Sequence, residues 1–162
     1  MRILLALSAL FALAGCSLQP LYSAGAQGAV ANGLAAIDVP AIPGRAGWLV
    51  RNALNDGLVA KGTATPKYRL DVRLDDELQG LGVLGDDTIS RERRTLRARY
   101  QLIDLASGDI LLDASETTDA GIDVVSSEYA TIAAEQRALE NLSLQLANRM
   151  ITRIALTLRK EQ

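Results

Sequence analysis

Tyr68-Arg69-Leu70-Asp71-Val72-Arg73-Leu74-Asp75 is the most regularly patterned stretch of this chain. Its strict alternation has the two-residue period of a β-strand, with Tyr68, Leu70, Val72 and Leu74 on one face and charged residues on the other. Such a strand belongs to an antiparallel sheet with one dry face and one wet face. The same code returns downstream, where Leu96, Ala98, Tyr100 and Leu102 point inward and Arg97, Arg99 and Gln101 point outward. A third strand begins at Ile110 and continues through Leu112 and Ala114. If Ala106-Ser107-Gly108 forms a three-residue hairpin loop with Gly108 in the left-handed region, Leu102 faces Leu112 and Tyr100 faces Ala114. Pairing Leu74 with Leu96 in the preceding hairpin would set Asp71 opposite Arg99 and Glu77 opposite Arg93.

Helices flank this meander. Val50, Ala53, Leu54 and Leu58 fall on one face of a 3.6-residue period, which predicts a helix from about Ala46 to Lys61 stopped by Gly62, with Trp48 capping its core face. A second helix is expected from Glu128 to Arg159, its buried stripe running through Leu139, Leu142, Leu146, Met150, Ile154 and Leu158. Glu128 near its start and Arg153, Arg159 and Lys160 near its end suit the helix dipole. A short strand around Ala35-Ile37-Val39, stopped by Pro40 and Pro43, precedes the first helix. The expected fold class is therefore α+β, a two-layer sandwich in the order strand-helix-strand-strand-strand-helix. Two helices pack on one face of a small mixed four-stranded sheet.

The beginning of the chain reads differently. After Arg2 an apolar run closes on Leu13-Ala14-Gly15-Cys16, the pattern of a lipobox, and that run is too short for a spanning helix. Residues 1–15 are expected to be a signal peptide, Cys16 the lipidated residue and residues 16–33 a tether of small and polar residues. One domain over residues 34–162 follows. Cys16 is the only cysteine, so lipidation leaves no thiol for a disulfide, a metal site or a nucleophile.

Composition narrows the chemistry. The chain has no histidine, removing the commonest general base and metal ligand. No serine, threonine or lysine has a recognisable base beside it, so no catalytic residue, cofactor or metal ligand is assigned. With 17 basic and 19 acidic residues, the chain lacks the basic excess of a nucleic-acid binder. Gly80-Leu81-Gly82-Val83-Leu84-Gly85 spells a dinucleotide fingerprint, but Asp86-Asp87 and a strand follow it where a helix should open, so it reads as a hairpin tip. Asp75-Asp76-Glu77 and Asp86-Asp87 lack the spacing of a calcium loop.

Two surface features invite function. Arg91, Arg93, Arg94, Arg97 and Arg99 crowd one strand, four of them sharing a face over about 26 Å, a basic stripe suited to phosphate. A salt ladder with the neighbouring strand is the structural alternative, and Arg91 and Arg94, nearer the tip, have the fewest evident partners. The second feature is apolar: Ile103 is expected to face Leu111 on the side away from the helices, with Leu105 nearby, as a docking patch for a partner.

Taken together, these pieces resemble the LptE family of lipopolysaccharide-assembly lipoproteins, particularly its alphaproteobacterial form. The resemblance rests on Cys16-Ser17-Leu18-Gln19-Pro20-Leu21-Tyr22, on Gly44 to Asn55, on the Tyr68 and Arg91 strands, and on Ser127 to Glu135 opening the last helix, in that order. It implies a non-enzymatic lipoprotein anchored in the inner leaflet of the outer membrane. It also implies a role as the plug of an LptD-like β-barrel, assisting barrel assembly and contacting lipopolysaccharide, with no nucleic acid involved. Ser17 after the lipidated cysteine agrees with release to the outer membrane. The role of binding phosphorylated lipid would fall on members of the set Arg91, Arg93, Arg94 and Arg97. An auxiliary lipoprotein of a phospholipid-transporting ABC system shares the lipobox, the size and the helix-on-sheet outline, and is the competing expectation.

Overall fold

The computed structural model describes residues 28–58, 65–83 and 89–160. The lipobox, Cys16, most of the expected tether, the helix end at Lys61 and the tip with Asp86-Asp87 lie outside the described residues. The elements are α1 (Ala29–Ala35), β1 (Ile37–Asp38), α2 (Gly44–Leu58), β2 (Tyr68–Val83), β3 (Ile89–Asp104), β4 (Ile110–Asp123) and α3 (Glu128–Lys160). The sheet order is β1-β2-β3-β4, with β1 parallel to β2 and the other neighbours antiparallel. This is the expected α+β architecture on a mixed four-stranded sheet. The addition is α1, a seven-residue turn of helix starting inside the segment expected to be tether.

The alternating code sets the faces as expected. Leu70, Leu96, Ala98, Tyr100 and Leu102 are buried beneath the helices, and Ala114, Thr118 and Ile122 continue that face on β4. All six expected stripe residues of α3 are buried, together with Ser143, Ala147, Ile151 and Ala155 between them. α2 buries Val50, Leu54 and Leu58 as its spacing predicts. Trp48 does not cap the core: it is 61% exposed, on the solvent side of α2. Gly47, the residue before it, explains how closely α2 docks, since a Cβ there would lie 2.4 Å from the Ile42 carbonyl oxygen.

Register is where expectation and structure part. Leu102 pairs with Leu112 and Tyr100 with Ala114, and Gly108 adopts φ 80° in the connecting loop, as read from the sequence. In the other hairpin Leu74 pairs with Ala98 rather than Leu96, a slip of two residues. Because the side-chain period is two, this slip keeps every residue on its expected face while changing its partner. Asp71 therefore stands opposite Gln101, and Glu77 opposite Thr95. Ile103 pairs with Ile110 rather than Leu111, because the ladder shifts after Leu102. Leu111 is the extra residue on β4 at that irregularity and packs half-buried against the core.

Candidate functional site

Among the described residues no helix covers the outer face of the sheet, and the strand parity fills it with charge. β3 runs down its middle carrying Arg91, Arg93, Arg97 and Arg99, while β2 contributes Arg69, Asp71, Arg73, Asp75 and Glu77, and β4 contributes Asp113, Asp119 and Asp123. The basic stripe is thus flanked by carboxylates on both neighbouring strands.

The arginines expected to act together separate into two kinds. Arg91 and Arg93 reach across to β4, placing Nε 3.4 Å from Asp123 and 3.9 Å from Asp119. These are long, exposed pairs, a class that contributes only about 0–1 kcal/mol and leaves the guanidinium accessible to another anion. Arg97 makes no hydrogen bond or ion pair with any described residue, although Asp75 stands opposite it in the register. Arg94 departs from expectation. It has the parity of Leu96, so it lies beneath the helix layer, and its guanidinium grips both oxygens of Asp76 at 2.8 and 2.7 Å. It also donates to the Glu135 carbonyl of α3 at 3.3 Å. The Asp76 hydrogen bond raises its pKa above the ordinary arginine value against the opposing effect of burial. Arg94 is a clamp joining β2, β3 and α3 rather than a residue with few partners. The register expected from the sequence, Leu74 against Leu96, would have set Asp76 directly opposite Arg94; in the structure the contact is diagonal, with Asp76 facing Leu96 and Leu78 facing Arg94.

Arg99 is also engaged, though on the exposed face. It donates to Asp113 at 3.2 Å, and Gln101 donates to the same carboxylate at 2.8 Å. These donors, Arg99 first and Gln101 second, hold the Asp113 carboxyl below the usual carboxylate range. The expected ladder partner, Asp71, is instead bound by Arg69 on its own strand, at 3.0 Å.

At the opposite end of the meander, the expected docking residues gather around the loop after β3. Leu105 is 47% exposed and Ile110 55%, with Ile103 half-buried opposite Ile110. The Leu105 amide donates to the Lys67 carbonyl, which fixes this loop against the start of β2. Ile110 is the member that the sequence reading missed. The bulge exchanges it for Leu111, and no alternation pattern announces a bulge.

Comparison with known proteins places this architecture. The fold matches a lipoprotein from Caulobacter crescentus CB15 at a TM-score of 0.66 and 24% identity, covering 80% of this chain and 96% of that one. It also matches the minor lipoprotein of Acinetobacter baumannii, with a TM-score of 0.56 and 15% identity over 74% and 88% of the two chains. The rare lipoprotein B of Shewanella oneidensis gives 0.55 and 14% over 78% and 98%. These likenesses speak to the fold. Comparison with curated proteins gives no match. The model of the family described as LptE, lipopolysaccharide-assembly, matches residues 34–154, spanning all four strands, α2 and most of α3. This chain therefore belongs to the LptE family of lipopolysaccharide-assembly proteins.

Proposed function

We propose that the protein is an outer-membrane lipoprotein, anchored through lipid on Cys16, that plugs an LptD-like β-barrel and contacts lipopolysaccharide on its way to the cell surface. The family match over residues 34–154 carries the reading. Physical chemistry supports it: lumens of large barrels are polar, and the uncovered sheet face is polar along most of its length. Acyl chains on Cys16 would contribute about 0.8 kcal/mol per buried methylene, enough for a lasting anchor when two or more chains insert. Arg91, Arg93 and Arg97 are the lipopolysaccharide-contacting candidates, because their guanidinium groups are accessible. Arg94 is withdrawn from that role by its structural clamp. Ile103 and Leu105, with Ile110 joining them and Leu111 beneath, form the barrel-docking candidate.

Depleting the protein from its own cells tests the proposal. Surface lipopolysaccharide should fall and the partner barrel should accumulate in an unassembled form. Unchanged surface lipopolysaccharide after complete depletion would contradict the reading. A Cys16→Ala variant should leave the membrane fraction and fail to complement.

A further inference from the structure

The outer face holds a second basic feature, distinct from the Arg91, Arg93 and Arg97 group. Arg73 and Arg99 stand directly opposite each other across β2 and β3. Like charges in that position repel, so a sheet gains nothing from the pair itself. Arg99 is steadied by Asp113, but Arg73 makes no hydrogen bond or ion pair with any described residue. Of the carboxylates nearby, Asp71 is engaged by Arg69 and Asp113 by Arg99 and Gln101, whereas Asp75, two residues along β2 on the same face, makes no hydrogen bond or ion pair with any described residue and does not line the cleft beside Arg73.

These side chains do not lie on a flat surface. Asp71, Arg73, Arg99 and Gln101 line one side of a cleft of about 390 Å³, and Pro40-Ala41-Ile42 forms the other. The wall exists because β1 stops pairing after Asp38 and Arg69. Pro40 has no N–H to continue a ladder, so the chain separates from β2 and leaves a gap. α2 holds this wall in place: Arg51 donates to the Val39 carbonyl at 2.9 Å, and Gly47 lets the helix backbone sit against Ile42. The cleft is thus preformed on both sides and presents the unspent donors of Arg73, whose planar guanidinium suits bidentate contact with an oxyanion.

We infer that this cleft binds a phosphate group, with Arg73 as its main contact and Arg99 as the second. The phosphate can arrive on a soluble molecule or on a lipid headgroup, and the two sources are separable. The inference goes beyond the barrel-plug reading and does not depend on it.

The test uses the detergent-purified full chain, with arginine Nε–H resonances followed during titration with inorganic pyrophosphate. The signals of Arg73 and Arg99 should shift together and saturate. Arg73→Gln should weaken binding about tenfold, equivalent to ~1.4 kcal/mol, while the exposed control Arg137→Gln leaves it unchanged. A second arm places the chain in phosphatidylcholine nanodiscs with or without phosphatidic acid. Shifts with pyrophosphate identify a soluble source, and shifts only with phosphatidic acid identify a headgroup. The melting temperature of Arg73→Gln is measured alongside, and Arg73→Lys should retain part of the affinity. Titration shifts confined to Arg91, Arg93 and Arg97, or equal binding by wild type and a folded Arg73→Gln variant, would overturn the inference. Co-purification with a barrel is unaffected by either result.

Discussion

Arg94 and Tyr100 lie on the same inward face of β3, and they illustrate opposite ways of placing a polar group beneath a helix. Arg94 has its charge answered by Asp76 and a helix carbonyl. Removing it leaves the Asp76 carboxylate, whose side chain is 26% exposed, without its partner, so Arg94→Gln should cost about 1.5–3 kcal/mol in denaturant unfolding. Arg94→Lys should recover only part of this, because an ammonium cannot reproduce the two-pronged contact. A stability equal to wild type would mean that the clamp contributes nothing. Tyr100 is 1% exposed and its hydroxyl has no hydrogen-bond partner among the described residues. Burial first, and the nearby Glu116 second, push its pKa from 10.0 up to about 12. Raised in the folded state, that pKa leaves stability intact below pH 10 and erodes it as pH climbs toward 12, by up to about 3 kcal/mol. Tyr100→Phe should be neutral or stabilising at pH 7 and should shrink that alkaline loss in melts across this range. At this scale the sequence made the face of each residue legible, because parity depends only on the strand. Partners on the outer face remained hidden, since a slip of two residues preserves parity while giving Asp71 to Gln101 and Glu77 to Thr95.

At the scale of elements, α3 carries the core. Leu146 and Ile154 are fully buried on its stripe, and either residue changed to Ala should cost about 2–5 kcal/mol. α2 is held by proximity rather than by size. Gly47→Ala would drive a methyl into the Ile42 carbonyl, and a loss of about 1–3 kcal/mol in thermal or denaturant unfolding is expected. Both long helices were legible because their apolar residues recur at helical spacing over several turns. The short α1 was not: Ala29–Ala35 has three alanines, Asn32 and Gly33 among its seven residues, a composition without an amphipathic signal. Its burial of Ala31 and Leu34 comes from packing beside α3, a tertiary effect. The bulge at Leu111 was likewise invisible, since one extra residue in a strand leaves local composition unchanged.

For the molecule as a whole there are two layers: the helices bury the inner sheet face, and the charged outer face is the surface we propose for recognition. Replacing Arg91, Arg93 and Arg97 together by Glu should weaken lipopolysaccharide binding with little change in melting temperature, because their visible ion pairs are long and exposed. Equal binding would reduce the stripe to a surface ladder. Changing Ile103, Leu105 and Ile110 to Ser should lower recovery of the barrel more than it lowers stability. We propose that this fold works inside a partner barrel. The most direct test is crosslinking followed by capture of the tagged, lipidated chain from solubilised native membranes. An LptD-type β-barrel should be recovered with the wild-type chain in near-equal amount. Recovery of phospholipid ABC-transport components in its place, with no barrel, would contradict the account.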